Sequence, residues 1–366
     1  MHEKIKRYIS LYVPVTTCTL RCHYCYITHH RLFEGPLPEL PYSPERIRKA
    51  LSKERLGGTC LVNFCGGGET LLLPKVVEYI KALLEEGHYV MVVTNATNTQ
   101  RFQEIANFPR LFLSRLFFKF SYHYIELKER NLLETFFANI ALMRSLGCSF
   151  TLEAVPCDEL KPYIDEMITL AIEKVGAVPH CTIARDERIQ GELPILTEMS
   201  YEEYKKTWSI FQSSLFEYKN SIFGIKRKEF CYAGSWYFLI NIKTGIMTQC
   251  YTSYYKQNVL KKINKPIRFL PVGNNCGSLH CYNGHSYISL GVIPELQAPT
   301  YESLRNRVCA DGTEWLNPEM KHAMGTKLYE TNKELSSMEK FLVNSEIRFR
   351  RIMQLPRKIG KFIFKR

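Results

Sequence analysis

The N-terminal part of the chain alternates strand-like and helix-like segments, and this alternation constrains the fold more than any other feature. Short apolar runs predict strands at 8–15, 60–64, 89–94, 115–122, 149–155 and 180–184. Segments with helical spacing follow at 44–55, 74–87, 99–108, 126–146, 158–175 and 200–216. Strands joined by crossover helices form a parallel sheet, and these units are too few for a closed eightfold barrel. We therefore predict an α/β protein with a partial (β/α)6 TIM-like barrel.

The alternation of predicted strands and helices ends after the sixth strand–helix unit. Segments become short, glycine-punctuated and rich in cysteine, and FLINI and IMTQCY flank Lys-Thr-Gly in a pattern that predicts a small hairpin. The segment YNGHSYISLGVIPEL (282–296) is expected to pack back on the barrel. We expect three units: the barrel at 1–216, a small cysteine-rich domain at 217–310 and a helical, basic tail at 311–366.

Composition narrows the class of protein. The chain holds 13 cysteines and has a formal net charge of +13. Its N-terminus lacks a small-residue cleavage site, and no run approaches the roughly eighteen apolar residues of a membrane helix. We therefore expect a cytoplasmic protein, in which many cysteines indicate metal or redox chemistry rather than disulfides. The positive charge alone leaves nucleic acid, an anionic surface and acidic substrates open.

Three cysteines follow the first predicted strand. Cys18, Cys22 and Cys25 have C-x3-C-x2-C spacing. Three thiolates in so short a loop can converge on one [4Fe–4S] cube and leave one iron open to a non-protein ligand. Zinc is the alternative, although it usually takes four protein ligands and this triplet supplies three. The spacing favours a cluster, at the end of the barrel where such folds place their chemistry.

These residues belong to a longer set of motifs. CTLRCHYC, with Tyr24 before its last cysteine, resembles the defining motif of the radical S-adenosylmethionine (SAM) enzymes. FCGGGETLL (64–72) resembles the glycine–glycine–glutamate loop of that family, while VVTNA (92–96) and FSYHY (120–124) resemble the ends of its third and fourth strands. The resemblance covers about residues 1–215 and departs at Thr70, where the family commonly has proline. It implies that the cofactor-binding residues are Tyr24, Gly67, Gly68, Glu69, Thr94, Asn95, Ser121, Glu153 and Arg185.

The resemblance also implies roles. Glycines let backbone groups approach a ligand closely, and the Glu69 carboxylate would hold the methionyl ammonium. Ser121 would approach the ribose. Glu153 and Arg185 end the fifth and sixth strands, and Arg185 would pair with the methionyl carboxylate. In this family the reduced cluster cleaves SAM to a 5′-deoxyadenosyl radical, which abstracts hydrogen from a substrate carbon. The three cysteines of the first loop would carry this catalysis as cluster ligands.

Four later cysteines are candidates for a second metal site. Cys231 and Cys250 form a C-x13-G-x4-C pattern, and Cys276 and Cys281 lie about 25 residues further on. This resembles the SPASM or twitch extension of the family, in its short version with one auxiliary [4Fe–4S] cluster. Structural zinc is the alternative, because four thiolates also suit that ion. Cys309 is either a ligand in place of Cys276 or Cys281, or a spare thiol.

Two classes of function fit these motifs. The first is a radical SAM enzyme that oxidises, epimerises or cross-links a sugar-type small molecule or a peptide, with a reducing electron donor such as flavodoxin or ferredoxin. Because the first strand starts near residue 8, we expect no leader-binding domain before it, which favours a small molecule or a peptide bound without that module. The second is a non-catalytic iron–sulfur or zinc protein that binds nucleic acid or an anionic surface.

The distribution of basic residues bears on the second class. They are dispersed until the tail, and we find no aromatic-rich nucleic-acid motif, so we expect no nucleic-acid partner. The tail at 348–366 alternates apolar residues with eight Lys/Arg. It is expected either to be solvated or to contact an anionic membrane surface.

Overall fold

The computed structural model describes residues 3–32, 36–189 and 193–363, with 355–363 described by their backbone alone. The strands of this part form one sheet in the order β6-β5-β4-β3-β2-β1-β7-β8-β9. They are β1 (Arg7–Val13), β2 (Cys60–Gly66), β3 (Tyr89–Thr94), β4 (Leu116–Ser121), β5 (Ser149–Ala154), β6 (His180–Cys181), β7 (Tyr237–Asn241), β8 (Ile246–Thr248) and β9 (Lys256–Asn258). Strands β1 to β6 pair in parallel. The predicted open, partial barrel is therefore confirmed.

Helices connect the parallel strands. The α-helices are α1 (Tyr26–His29), α2 (Pro44–Ala50), α3 (Lys53–Leu56), α4 (Pro74–Glu85), α5 (Thr99–Ala106), α6 (Arg110–Leu113), α7 (Tyr124–Glu129), α8 (Leu133–Ser145), α9 (Ile164–Val175), α10 (Tyr201–Trp208), α11 (Ser214–Ile222), α12 (Gly284–Tyr287), α13 (Pro318–Gly325) and α14 (Ser337–Ile363). Short 3₁₀ helices lie at Thr70–Leu72, Asp158–Tyr163, Ser209–Phe211 and Leu328–Glu330.

Two predicted helices are each divided in two. The stretch 44–55 breaks before Ser52, whose side-chain oxygen accepts a hydrogen bond from the Arg55 backbone and begins α3. The stretch 126–146 breaks at Asn131, which adopts a left-handed φ of 55° between α7 and α8. Apolar spacing continues across both breaks, so the periodicity of the sequence alone did not reveal them.

The two faces of the sheet are covered differently. Ile9, Val62 and Phe118 point to the face that packs against the connecting helices. The alternate residues, such as Tyr8 and Met91, point to the other face, which C-terminal segments cover. The residues of this covering layer include Tyr287, Leu290 and Val292. The prediction that 282–296 packs back on the barrel is therefore confirmed.

The predicted hairpin forms, with β7 and β8 antiparallel. Its first strand also pairs in parallel with β1, with Leu239 opposite Ser10. The cysteine-rich segment therefore continues the sheet of the barrel at its β1 edge and is attached to it through backbone hydrogen bonds. The division of the chain at 216 and 217 stays a prediction.

The C-terminal part is largely helical, as expected, with α13 and the long α14. Residues 364–366, which end the basic tail, lie outside the described residues. Within the described ranges, no helix is both long enough and apolar enough to cross a bilayer.

Candidate active site and metal centres

A cavity opens at the C-terminal ends of β1 to β4 and contains the first cysteine loop. Its lining includes the thiols of Cys18, Cys22 and Cys25. The neighbouring strand ends contribute the other predicted residues that line it: Gly67, Gly68, Glu69, Thr94, Asn95 and Ser121. Leu20, Ile27, Gly66, Thr70, Val93 and His123 complete the wall. The fold thus collects most of the predicted cluster and SAM residues at one end of the sheet.

The loop thiols are set in a largely buried environment. Burial raises the pKa of Cys18 to about 11, and it also raises the pKa values of Cys22 and Cys25. Metal binding at this loop must therefore displace protons from the thiols. The Asn95 amide donates to Cys18 Sγ at 3.6 Å and to Thr19 Oγ1 at 2.8 Å. A hydrogen bond to a ligand sulfur is one of the means by which proteins tune cluster potentials.

The glycine loop lies directly against the chain that enters the cysteine loop. The Gly67 and Glu69 amides donate to the Val13 and Thr17 carbonyls at 3.2 and 3.1 Å. A Cβ on Gly67 would lie 2.7 Å from the Val15 carbonyl oxygen, and one on Gly68 would overlap the Thr17 carbonyl. The glycines are therefore needed for close backbone packing, which holds the two ligand-bearing loops together.

Glu69 is a buried carboxylate held by neutral donors. Its oxygens accept hydrogen bonds from Leu71 N at 2.9 Å, Thr94 Oγ1 at 2.6 Å and Asn95 N at 2.8 Å. Among the described residues it forms no ion pair, and burial raises its pKa. A cationic group arriving with a ligand would supply the missing countercharge, so the site fits an ammonium group.

Three predicted cofactor-binding residues do not line this cavity: Tyr24, Glu153 and Arg185. Glu153 faces Lys119, with Oε2 2.8 Å from Nζ, and also pairs with the buried Arg305. Although burial opposes it, these cations lower the pKa of Glu153 to about 2. Arg185 lies 3.3 Å from Glu187 and donates to the Tyr282 carbonyl at 3.4 Å. The structure therefore does not bring Glu153 or Arg185 to the glycine loop.

Tyr24 and His123 form a pair beside the cysteine loop. The Tyr24 hydroxyl is 2.6 Å from His123 Nδ1, and the rings are 5.8 Å apart. Burial lowers the pKa of His123 to about 4, so its imidazole is neutral at physiological pH. His123 lines the cavity although the sequence analysis did not select it. The sequence did contain a signal for His123, because it lies two residues after Ser121, just beyond the end of a predicted parallel strand.

The four C-terminal cysteines also come together. Cys231 forms an isolated bridge with Gly273, Cys250 follows β8, and Cys281 precedes α12. Burial, and then the nearby thiols of Cys250, Cys231 and Cys276, raise the pKa of Cys281. The residues predicted for the second site thus form one group of thiols.

Cys309 lies elsewhere. Its Sγ is 3.4 Å from the Val175 carbonyl oxygen at the end of α9, within the core between sheet and helices. A Cβ on Gly176 would lie 2.7 Å from that sulfur. The structure therefore places Cys276 and Cys281, and not Cys309, with the hairpin cysteines, and Cys309 is a packing thiol.

The spacing of both thiol groups bears on the metal. Among the described residues, no three of these thiols lie within 4.8 Å of one another. Thiolates around a tetrahedral zinc ion, with Zn–S bonds of about 2.3 Å, are about 3.8 Å apart. An iron–sulfur cube rather than zinc at the C-terminal group stays a prediction.

One group of described residues does have single-ion spacing. Ligand atoms of His23, Cys157 and Glu159 lie within 4.8 Å of one another. His23 belongs to the cysteine loop, and its Nε2 is 2.9 Å from Glu159 Oε2. A histidine–carboxylate contact explains this arrangement without a metal, and it ties the loop to the 3₁₀ helix Asp158–Tyr163.

Comparison with known proteins adds independent information. The family model of the Radical SAM superfamily matches residues 12–153. Among solved structures, the chain is similar to Streptococcus suis SuiB bound to S-adenosylmethionine, with 15% identity, 71% of this chain and 64% of that chain covered, and a TM-score of 0.48. The chain spans 64% to 66% of the length of the SuiB structures it matches.

Two further structures show similarity. Native anSMEcpe with bound AdoMet and Cp18Cys peptide has 14% identity over 96% of this chain and 99% of that chain, with a TM-score of 0.45. BtrN in complex with AdoMet and 2-DOIA has 13% identity over 72% of this chain and 83% of that chain, with a TM-score of 0.32. No curated protein sequence matches the chain significantly.

The matched region corresponds closely to the cavity. Residues 12–153 begin in β1, include the cysteine and glycine loops, and end in β5. Every predicted residue that lines the cavity falls inside it. Residues 12–153 therefore form a radical SAM domain, and this domain contains the cavity.

Proposed function

We propose that this protein is an enzyme in which Cys18, Cys22 and Cys25 hold a [4Fe–4S] cluster beside bound SAM. Such a cluster supplies the electron that converts SAM into a 5′-deoxyadenosyl radical able to abstract hydrogen from a substrate carbon. The observation that carries the proposal is one cavity that combines three cysteines with a buried carboxylate that has no countercharge among the described residues. A non-catalytic zinc protein has no use for that carboxylate.

The residues of the chain would bind and orient the cofactor. Glu69 would accept hydrogen bonds from the ammonium of SAM while Thr94 and Asn95 fix its carboxylate. Ser121 lines the same cavity and is placed for a hydroxyl of the ligand. His123, neutral and bonded to Tyr24, would keep the wall beside Cys22 and Cys25 uncharged.

We further propose that Cys231, Cys250, Cys276 and Cys281 hold an auxiliary [4Fe–4S] cluster. Four thiols can ligate every iron of the cube, which leaves no open position. A fully liganded cluster would suit transfer of the electron left after hydrogen abstraction. Attachment of the hairpin to β1 would fix this second site relative to the first.

The substrate class remains the one expected from the sequence, a sugar-type molecule or a peptide. A peptide is supported by the similarity to SuiB, which has been solved bound to the precursor peptide SuiA. A net charge of +13 suits an acidic electron donor such as flavodoxin or ferredoxin. A cytoplasmic location is supported by 13 cysteines that are all free thiols.

Anaerobic reconstitution tests the two cluster assignments. We expect about eight irons per chain, and 5′-deoxyadenosine on addition of dithionite and SAM. Replacing Cys18, Cys22 and Cys25 with alanine should remove about four irons and all SAM cleavage. Replacing Cys250 and Cys281 should remove about four irons but preserve SAM binding.

Cys309→Ala is the matched control, because it removes a buried thiol that lies outside both groups. It should keep the full iron content. Zinc in place of iron, with no SAM cleavage under reduction, would contradict the proposal and support a binding protein.

We also propose that α14 contacts an anionic membrane surface. Its outer face carries six apolar side chains that are each 58% to 68% exposed: Met338, Phe341, Leu342, Phe349, Ile352 and Met353. Ile347, on the opposite side, is fully buried against the protein. No acidic residue occurs from 347 to 366, where eight Lys/Arg do. An exposed apolar stripe with basic surroundings is the pattern of an interfacial helix.

A further inference from the structure

A second, narrow cavity lies between the barrel and the C-terminal cysteine segment. Its walls come from the end of β6, from α11 and from residues 280–285. Arg185, Lys219, His280 and His285 line it, together with Cys281. Cationic and N–H donor groups therefore face a space beside one of the proposed cluster ligands.

Positive charge in this region is incompletely compensated. Lys219 donates a hydrogen bond to Thr182 Oγ1 and, within the described part of the chain, forms no ion pair with a carboxylate. Burial, and then the nearby cations, of which Arg185 acts most strongly, lower the pKa of Lys219. Arg185 has one acidic partner, Glu187. Two basic side chains, Lys219 and Arg185, therefore line the cavity, and among the described residues one carboxylate, that of Glu187, pairs with them.

The charges behind the cavity do not correct this excess. Lys119 and Arg305 share a single carboxylate, that of Glu153. Four cations of this region, counting Lys219 and Arg185, thus face two acidic side chains. Charges that are partly withdrawn from water are costly unless they are paired. An anionic ligand would restore the balance.

Two histidines point to the same conclusion. His285 is only 7% exposed, and its Nδ1 has no hydrogen-bond partner among the described residues. The same holds for Nε2 of the buried His280. Burial, and then neighbouring cations, lower the pKa of His285, so its imidazole is neutral and retains one N–H donor. Buried polar atoms of this kind are normally paired, and a ligand oxygen would pair them.

We propose that this cavity is an anion subsite in which Lys219, Arg185 and His285 bind a carboxylate or phosphate group of the substrate. It adjoins the second thiol group, because Cys281 lines it. Glu187, which pairs with Arg185, also acts electrostatically on Cys25 of the first group. A substrate anchored there would extend toward the first cavity. That the anionic group belongs to a substrate rests on the proposed function, whereas the binding of an anion at this site does not.

The test measures anion binding directly. Reconstituted wild-type protein is titrated with inorganic phosphate and, separately, with acetate, by calorimetry at constant ionic strength. Lys219→Met keeps the length of the side chain and removes its charge, and Lys174→Met, at an exposed lysine of α9 paired with Glu173, is the matched control. We expect saturable binding of one of the two anions, at least tenfold weaker in Lys219→Met and unchanged in Lys174→Met. The anion that binds more tightly identifies the chemical group.

Two other measurements separate the alternatives. SAM affinity should change less than twofold in Lys219→Met, and a tenfold loss would show that the cations serve the carboxylate of SAM, which overturns the proposal. If Lys219→Met loses about four irons while its anion binding is unchanged, the cations compensate the charge of a cluster instead, and the proposal is overturned. The proposal would also be overturned if the wild-type protein bound neither phosphate nor acetate. If Lys219→Met does not fold, Arg185→Gln, at a partly exposed side chain, replaces it. These results do not depend on whether a radical forms.

Discussion

At the scale of single residues, two buried carboxylates near the C-terminal ends of β2 and β5 behave in opposite ways. Burial raises the pKa of Glu69, which has only neutral donors around it. Glu153 is equally buried, yet Arg305 and Lys119 overcome that burial and lower its pKa to about 2. The identity of the neighbours, rather than burial, therefore separates a carboxylate that is ready to bind a cation from one already committed to the fold.

Replacing Glu69 with glutamine tests this distinction. The amide is similar in shape but cannot neutralise an ammonium, and a charge-assisted hydrogen bond contributes about 1.5–3 kcal/mol. We therefore expect SAM affinity of the cluster-loaded protein to fall at least tenfold in equilibrium dialysis. Glu202→Gln, at an exposed residue of α10, is the control and should bind SAM normally. Unchanged affinity in Glu69→Gln would mean that the ammonium is held elsewhere.

At the scale of elements, α14 differs from the helices of the barrel. A helix that packs on a core usually buries its apolar stripe and exposes its polar side. Here Ile347 is buried, Asn344 hydrogen-bonds to Asn274 and Asn275, and Arg350 pairs with Glu346. The opposite, solvent-facing side is the apolar one. Such a face is consistent with contact to a second surface.

Vesicle sedimentation measures this contact. We expect the protein to bind vesicles that contain anionic lipid more strongly than neutral ones, because both apolar burial and basic residues contribute. Phe349→Ser together with Ile352→Ser should weaken binding by more than tenfold, since burial of each side chain contributes about 1.5–3 kcal/mol. Leu111→Ser removes an exposed apolar side chain outside α14, on α6, and should bind vesicles as the wild type does. Equal binding of all three proteins would contradict the proposal.

At the scale of the whole molecule, one buried ion pair joins the C-terminal region to the barrel. Arg305 is 1% exposed and pairs with Glu153 at the end of β5. The two residues are 152 positions apart in the chain. Around them, C-terminal apolar residues fill the open face of the sheet. The radical SAM domain and the segment that follows it therefore share one interior.

Arg305→Met should destabilise this interior in a pH-dependent way. Because the folded-state pKa of Glu153 is depressed, its pairing contributes full stability above an unfolded pKa near 4.5, and this contribution is lost as the pH falls toward about 2. Loss of one partner of a buried pair costs about 3–5 kcal/mol. In urea unfolding, the free energy of unfolding of Arg305→Met should fall by that amount relative to the wild type at pH 7, and by a smaller amount at pH 4. Arg48→Met, at a surface pair with Glu85 in which both side chains are partly exposed, should not shift the midpoint. An equal loss at both pH values in Arg305→Met would contradict the argument.

Local sequence was sufficient for much of the architecture and of the first site. Strand–helix alternation predicted the parallel sheet, because hydrophobic periodicity and crossover handedness are local properties. The cysteine and glycine loops could be located because each directly follows a strand, and parallel strands end at the same edge of a sheet. Cys18 and Glu69 are therefore brought together by a rule that sequence alone can apply.

Only the tertiary structure decided the remaining questions. Cys309 follows the other C-terminal cysteines closely in sequence but packs against α9, and the hairpin joins β1 across more than 200 residues. Arg305 reaches Glu153, and Lys219 reaches the wall of a cavity near Cys281. Spacing along the chain fixes which residues can share a loop. Contacts between distant segments depend on how faces of the sheet are filled, and that is a property of packing in three dimensions.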